Sequence, residues 1–522
     1  MKSAAKSLPD NVKDLIQLVL QQQAKLDHQS DYIHQLIEAI RLAKHQHFGT
    51  RSEKFNSEQL SLLFNEAEAL ADHEGDEQED DNNEEENTTV GPYKRRKGGR
   101  KKLPDHYPRI DVVHVLEESD CHCDHCQGEL AEMGEKVSEQ IDLVPLTVRV
   151  IRHIRKTYHC PNCESGIKTA PLPQQAIPGS IASPGTLAHV AVNKHINGMP
   201  LYRQEAEFKR LDIPLTRSTL ATWMVKAGVL VQPLINLLRE TMLDYDVLQV
   251  DETRCQVLKE PGKTPQSLSY MWVQRGGPPG SLIILFDYAP TRSQEVPVEL
   301  LGDYAGYLQI DGYEGYNKIC AQNEIVPLGC MAHVRRKFDQ ALKAQGKHKH
   351  RKGSLAQQAL QRIQLLYRIE KQAKGMSDEQ RTELRQSRAV PVLDGLRKWL
   401  DQYLPVVVKQ SALGKAMHYM DKQWPRLTVY TEDGRLNIDN NLCENAIRPF
   451  VIGRKNHLFS DTVSGAKASA NLYSLIETAK ANGIEPYAYL KQVFTELPKA
   501  TTVEEIEALL PIRPVIDLEQ VA

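Results

Sequence analysis

Three acidic residues stand where they could bind divalent metal ions. Asp251 lies in a β-type pattern that begins at Val247, and Asp311 ends a second apolar run that begins at Gly306. Two carboxylates held close together repel each other, and both stay ionised only if a divalent cation bridges them. With a third acid, such a pair would bind Mg²⁺ (or Mn²⁺), which activates an attacking oxygen and stabilises the leaving oxygen in phosphoryl transfer.

The third acid that best completes this group is Glu444, which follows a long stretch of helical pattern. Asp439 or Asn440 would cap a short helix that carries Glu444, and Pro449 would end that helix. Glu444 and Arg448 are four residues apart and therefore share a helix face. The pattern predicts a metal-binding carboxylate beside a cation that binds phosphate. Further DNA-binding candidates are His333 and Arg336 on an earlier helix, and Lys455 after Arg448.

Other acids compete for these roles. Asp287 also ends a strand, although that strand would lie away from the one that carries Asp251. Glu252 follows Asp251 directly, so alternation along a strand turns it to the other face. The alternative for Asp251 and Asp311 themselves is that they are strand-end acids that cap turns.

The order of elements around these acids is typical of a ribonuclease-H-like sheet. Three hairpin-linked strands come first, then a helix at 295–301, then two more strands, the last of which runs into the helix with His333. In such a sheet the first and fourth strands are neighbours, which would place Asp251 and Asp311 side by side. The predicted strands begin near 247, 270, 281, 306 and 325.

Four cysteines are spaced as zinc ligands. Cys123 and Cys126 form one CxxC pair, and Cys160 and Cys163 form a second pair 33 residues further on. Two such pairs build a tetrahedral thiolate site for Zn²⁺, because a tight turn lets both sulfurs of a pair face one ion. Cys121 leaves the choice of ligands in the first pair open, and the alternative is a set of reduced core cysteines.

Residues 173–240 have the pattern of a helix-turn-helix region. Ser183 and Pro184 open one helix, a second runs over 202–211, and a third follows a turn with Thr216 as its N-cap. In this arrangement the last helix lies in the DNA major groove, where Arg217 and Thr222 would contact bases or phosphates. Ordinary helical hairpins have the same pattern.

The N-terminal third contains a heptad pattern and two oppositely charged runs. Apolar residues recur every seven positions from Val12 to Ile40, which predicts a coiled coil over 1–50 and a homo-oligomer; a helix packed within one chain is the alternative. The chain carries a net charge of −3, but ten acidic residues fall within 72–87, so the rest carries +7. The basic run that follows predicts either a DNA-contacting arm or a solvated linker; its DNA-binding candidates are Arg95, Arg96, Arg100 and Lys101.

Composition excludes several classes of protein. At 522 residues, 41% hydrophobic and 25% charged, the chain is an ordinary globular protein of several domains. Its longest apolar runs are far below the length of a membrane span, and its first ten residues have no signal-peptide core. We therefore expect a cytoplasmic protein without a membrane partner. Nine cysteines are too few for a disulfide scaffold.

Taken together, these motifs resemble the transposases of the insertion sequence 66 family, bacterial DNA-cutting enzymes with an Asp-Asp-Glu triad. The matching stretches follow the family order over nearly the whole chain. They are 48–54, the basic run at 94–102, the paired CxxC region, 249–253 (Gln-Val-Asp-Glu-Thr), 308–316, 330–338 (Cys-Met-Ala-His-Val-Arg-Arg-Lys-Phe), 440–449, 453–459 and 477–483.

The resemblance implies catalytic Asp251, Asp311 and Glu444, and zinc at the four paired cysteines. It also implies metal-dependent cleavage at transposon ends, followed by strand transfer into target double-stranded DNA, with accessory proteins of the same element as partners. Cys121, and Gln127 where the family usually has Gly, depart from the pattern. The competing interpretations are a non-catalytic zinc and helix-turn-helix regulator, and an inactive transposase copy.

The predicted fold is therefore multidomain α+β, with a small C-terminal helical region after the catalytic domain. The expected boundaries are 1–50 for the coiled coil, 66–102 for the acidic then basic linker, 103–172 for the zinc-binding domain, 173–240 for the helix-turn-helix region, 241–465 for the ribonuclease-H-like catalytic domain with a helical insertion at about 338–425, and 466–522 for the C-terminal helices.

Overall fold

A computed structural model describes residues 148–159, 167–345 and 353–512, together with seven positions in the N-terminal segment. These seven positions are helical and exposed, in agreement with the helix predicted there, and pairing between chains stays a prediction. They are Leu20, Gln22, Gln23, Leu26, Gln29, Ile33 and Ile37. The predictions made for Arg95, Arg96, Arg100, Lys101, Cys123, Cys126, Cys160 and Cys163 fall outside the described residues.

The chain divides into two compact units, one formed by Asp80–Pro173 and the other by the rest of the chain. In the first unit, strands β1 (Thr157–His159) and β2 (Ile167–Thr169) form an antiparallel hairpin in which His159 lies opposite Ile167. The hairpin is also linked by the hydroxyls of Thr157 and Thr169, which are 3.0 Å apart.

From Gln174 onward, the second unit begins with four helices. Side-chain caps start two of them: Ser183 and Thr216 accept hydrogen bonds from the backbone N–H groups of Thr186 and Thr219, both at 3.2 Å. The predicted N-cap at Thr216 is therefore confirmed. The helices are α1 (Pro184–His195), α2 (Leu201–Arg210), α3 (Arg217–Leu230) and α4 (Gln232–Leu243).

A mixed sheet follows in the order β5-β4-β3-β6-β7, in which β3, β4 and β5 are antiparallel and β3, β6 and β7 are parallel. The first and fourth strands of the sheet are thus neighbours, as predicted. Met271, Trp272 and Val273 are consecutive and all buried, because both faces of the sheet are covered. The strands are β3 (Val247–Lys259), β4 (Leu268–Gly276), β5 (Ile283–Ala289), β6 (Gly306–Gln309) and β7 (Ile325–Leu328).

Helices connect the later strands and form an insertion with a hydrophobic core of its own. Buried Phe338, Leu366, Leu396 and Met417 belong to that core. The helices are α5 (Glu295–Leu301), α6 (Asn317–Gln322), α7 (Met331–Ala344), α8 (Leu355–Gln372), α9 (Asp378–Leu384), α10 (Val390–Tyr403) and α11 (Ala412–Leu427), with a π-helical turn at Arg385–Ala389.

Helix α12 (Asn441–His457) carries Glu444 and corrects one prediction. Pro449 does not end this helix but lies inside it. Cys443, Ile447 and Phe450 on one side of α12 are buried in the core that covers the sheet. We attribute the continuity of the helix to this burial, which offsets the hydrogen bond that proline cannot donate.

The C-terminal helices complete the fold. Strand β8 (Ser460–Thr462) pairs in parallel with the end of β3, and α13 (Val463–Ala481) packs on β5. Helices α14 (Pro486–Glu496) and α15 (Val503–Glu507) follow. Among the described residues, no single helix is long and apolar enough to cross a membrane, and only the bent pair α3–α4 passes the same test of length and composition when its helices are taken together.

Candidate active site

The register of the sheet brings Asp251 and Asp311 to the same place. Strands β3 and β6 run parallel, with Gln249 paired to Gln309, so each acid lies two residues beyond this pair on neighbouring chain segments. The two glutamines are joined by a 2.9 Å hydrogen bond between their side chains, which holds the register. Each aspartate accepts a backbone hydrogen bond from a following residue.

Glu444 is held near these acids by the loop that precedes α12. The side-chain amide of Asn440 donates to the carbonyl oxygen of Val250 at 3.0 Å, one residue before Asp251. The side chain of Gln309 donates to the carbonyl oxygen of Asn437 at 2.9 Å. Glu444, which is 193 positions after Asp251 in the sequence, is therefore held beside the two strands by hydrogen bonds from buried side-chain amides.

The electrostatics of the three acids show that they form one cluster. Burial raises the pKa of Asp251 well above its ordinary value, and the charges of Glu252, Glu444 and Asp311 raise it further. Burial also raises the pKa of Glu444, against the lowering effect of Arg336, and the charge of Asp311 adds to the rise. The structure therefore brings together the three acids that the sequence predicted as a group.

Two of the predicted DNA-binding residues lie directly beside the acid cluster. The guanidinium of Arg336 forms an ion pair with Glu444 Oε2. His333 Nδ1 lies 3.7 Å from Glu444 Oε1, and burial together with Arg336 and Lys337 lowers the pKa of His333 to about 3. His333 is thus a neutral imidazole at physiological pH, so it does not add the positive charge that a phosphate contact would use.

Glu252 is closer to the cluster than strand alternation suggested. It forms an ion pair with Arg292, whose guanidinium also lies 3.7 Å from Asp311 Oδ2. Tyr316 donates a hydrogen bond to Glu252 at 2.6 Å, and the charge of Asp311 raises the pKa of Glu252 after the larger effect of burial. Sequence reasoning missed Arg292 because it lies in the loop before α5, where no motif marked it.

Asp287 lies outside the acid cluster, as its predicted position on the third strand indicated. It accepts two hydrogen bonds from Arg239, at 2.7 and 2.8 Å, and one from Gln274. Strand β5 pairs with β4 and is not a neighbour of β3. The ion pair with Arg239 gives Asp287 a structural role.

The remaining predicted contact residues lie on two helices. Arg217 and Thr222 are exposed on α3, with Trp223 buried on the opposite side of that helix. Arg448 is partly buried and Lys455 is exposed, both on α12. Arg336, on α7, forms an ion pair with Glu444.

A second group of donors shares Glu444. Cys330, at the start of α7, and His333 on its first turn lie with Glu444 so that one donor atom of each is within 4.8 Å of the others. The sequence has a Cys-x-x-His spacing here. Two possible ligands alone are weak evidence for a metal site, and only the structure shows that Glu444 lies beside them.

Comparison with known families matches four regions of the chain. The profile of the Transposase IS66 family covers residues 179–468, and that of the IS66 C-terminal element covers 474–512.

The chain belongs to the IS66 transposase family.

The resemblance drawn from the sequence motifs is thereby confirmed. The zinc-finger binding domain of transposase IS66 matches residues 120–164 of this IS66 family member, a range that contains all four paired cysteines. The profile described as Transposase C of IS166 homeodomain matches residues 35–112, which contain the basic run.

Several curated proteins of Sinorhizobium fredii are similar to this IS66 family member. Uncharacterized protein y4jD is 34% identical over 426 residues, which is 78% of this chain and 81% of the relative. Uncharacterized protein y4qI is 30% identical over 497 residues, which is 92% of this chain and 89% of the relative. In each case the similarity extends over most of this chain and most of the relative, but the names of the relatives state no activity.

Proposed function

We propose that this IS66 family member is a DNA transposase that binds transposon ends and catalyses strand cleavage and strand transfer with Asp251, Asp311 and Glu444. The observation that carries the proposal is the cluster of these acids, assembled from two adjacent parallel strands and a helix far away in sequence. The strand order and directions agree with a ribonuclease-H-like catalytic domain, a fold that carries its acids in this position.

The donor set fits a hard divalent cation. Asp251, Asp311 and Glu444 offer only carboxylate oxygens, the ligands that Mg²⁺ and Mn²⁺ prefer. When bound, such ions would supply Lewis-acid activation of the attacking oxygen and stabilisation of the leaving oxygen.

The chain's own residues would prepare the cluster for DNA. Arg336 and Arg292 each lie against an acid of the cluster and offset part of its negative charge. Cations held at this place would attract the phosphates of DNA, which the acids alone would repel. The attacking groups would be water and then a freed 3′-hydroxyl, so no nucleophilic side chain is required.

Recognition of DNA would come from other regions. Arg217 and Thr222 are exposed on the helix that follows the turn, and the homeodomain match supports binding by the basic run. The zinc-finger match supports Zn²⁺ bound by the paired cysteines, with a structural role for the closed four-thiolate site. Pairing through the N-terminal helix and accessory proteins of the element are further parts of this proposal.

The deciding experiment is a nicking assay on labelled DNA that contains the transposon ends, with Mg²⁺ or Mn²⁺. Asp251→Asn, Asp311→Asn and Glu444→Gln keep the shape of each side chain and remove its charge. Each should reduce cleavage by about 10³-fold or more while end binding is retained, because the three acids act as one site.

Asp287→Asn is the matched control, since it removes an acid from a neighbouring part of the sheet but outside the cluster. It should weaken the ion pair with Arg239 and lower stability, with cleavage largely kept. Full activity in Glu444→Gln would refute the triad. End binding without any metal-dependent nicking by the unaltered chain would favour a DNA-binding regulator or an inactive copy.

A further inference from the structure

The buried side of Glu444 carries a second donor set of different chemistry. Cys330 and Glu444 are 2% and 5% exposed, and His333 is partly buried between them. Arg336 forms an ion pair with Glu444 Oε2, and Glu444 Oε1 lies 3.7 Å from His333 Nδ1. Both Glu444 Oε1 and His333 Nδ1 are buried, and neither has a hydrogen-bond partner among the residues that the structure describes. Buried polar atoms are normally paired, so two unpaired atoms that face each other indicate a missing ligand.

The backbone near Cys330 supports a metal-binding sulfur at this position. Its sulfur accepts a hydrogen bond from the backbone N–H of Asn440 at 3.3 Å, and it lies at the N-terminus of α7. Zinc binds cysteine as the thiolate, so metal binding would release the thiol proton.

We propose that Cys330, His333 and Glu444 form a binding site for Zn²⁺ or a similar thiophilic divalent ion. One thiolate, one neutral imidazole and one carboxylate are zinc ligands, whereas Mg²⁺ prefers oxygen donors alone. Three protein ligands leave the fourth position of a tetrahedral ion open to an exchangeable ligand. The site rests on the geometry of these three donors and does not depend on the proposed transposase activity.

The test uses Co²⁺ as a spectroscopic substitute for zinc in the full chain under reducing conditions. The chain is first loaded with one equivalent of Zn²⁺, which the four-cysteine region should take because it offers more thiolates. Co²⁺ added next should give tetrahedral visible bands and a thiolate-to-cobalt charge-transfer band in the near ultraviolet. The charge-transfer band should saturate at about one thiolate-bound Co²⁺ per chain.

Variants assign the bands to the site. Cys330→Ser should remove the charge-transfer band, and His333→Gln should weaken Co²⁺ binding by at least about tenfold. Cys320→Ser is the matched control, since Cys320 is a free cysteine on α6 outside the cluster, and it should leave the spectrum unchanged. Circular dichroism checks that each variant is folded, and His333→Gln retains the test if Cys330→Ser does not fold.

Two results would overturn the proposal. One is an unchanged charge-transfer band in folded Cys330→Ser, which would assign the thiolate signal to the zinc-finger region. The other is Co²⁺ binding that is lost in Glu444→Gln but insensitive to Cys330 and His333, which would mean that the ion binds to the carboxylates alone. Failure of the nicking assay would leave the predicted spectra unaffected, so the two proposals fail separately.

Discussion

At the scale of single residues, the buried acids of the cluster lower the stability of the metal-free protein when they are ionised. Asp251 lies among Glu252, Asp311 and Glu444, and burial and their charges raise its pKa. A carboxyl whose pKa is higher in the folded than in the unfolded chain binds its proton more tightly when folded. Its contribution to stability is therefore present at low pH and is lost as pH rises through the folded pKa. At higher pH the ionised cluster destabilises the metal-free protein.

We therefore expect Asp251→Asn to stabilise the metal-free chain. In the presence of a chelator of Mg²⁺, its melting temperature should rise by about 1–2 °C for each kcal/mol of repulsion removed, because the entropy of unfolding grows with the size of the folded unit. The gain should grow as pH rises and shrink as pH falls toward the ordinary range of a carboxyl pKa. Differential scanning calorimetry between pH 5 and 8 measures it.

The control for this prediction is Asp287→Asn, which breaks a favourable ion pair with Arg239 and should lower the melting temperature. A fall in melting temperature for Asp251→Asn at every pH would show that its carboxylate is stabilised by its surroundings, contrary to the predicted repulsion.

At the scale of elements, helix α13 covers the free edge of the sheet. Strand β5 is the outer strand on its side, and edge strands expose unpaired backbone groups. The hydroxyls of Ser474 and Thr478 accept hydrogen bonds from the backbone N–H groups of Phe286 and Ile284, at 2.8 and 3.0 Å. Polar side chains on a buried helix thus accept hydrogen bonds from backbone N–H groups that would otherwise pair with another strand.

Thr478→Val should lower the free energy of unfolding by about 1–3 kcal/mol, because it leaves the N–H of Ile284 buried and unpaired. Thr495→Val is the matched control, since the hydroxyl of Thr495 bonds only to the carbonyl oxygen of Lys491 in its own helix. It should change stability by much less. Urea unfolding of both variants compares them, and equal losses would argue against the role of α13 at the sheet edge.

At the scale of the whole molecule, the N-terminal helix is the candidate for assembly. Leu26 and Ile33 lie on the seven-residue repeat and are helical and 59% and 55% exposed. Apolar side chains that recur every seven residues on one helix are normally buried against a second helix. The same helix of another copy is the partner that the repeat predicts.

Removal of residues 1–50 should therefore lower the oligomeric state without loss of the bound zinc. Light scattering measures the mass of the full and truncated chains, and metal analysis measures the zinc. Ile33→Glu should act like the truncation, while Gln21→Glu, two residues after Val19 and outside the apolar positions of the repeat, should not. An unchanged mass in both the truncation and Ile33→Glu would mean that another interface controls assembly.

The sequence by itself was sufficient for the family, for the order of strands and for grouping Asp251, Asp311 and Glu444, whose catalytic role stays a prediction. These features depend on local patterns: apolar alternation, strand ends and motifs of neighbouring residues. The N-cap at Thr216 was predictable for the same reason, because a capping hydroxyl acts on an N–H three residues away.

Only the tertiary structure decided which side chains meet across long separations in the chain. It placed Arg336 against Glu444, Arg292 against Glu252 and near Asp311, and Cys330 within reach of Glu444. It also showed that the helix with Glu444 continues through Pro449, since burial of its apolar face against the sheet outweighs the local preference of proline to end a helix. Local sequence determines where an element begins and which residues it carries. The partners of each charge depend on packing between distant segments, which no local pattern specifies.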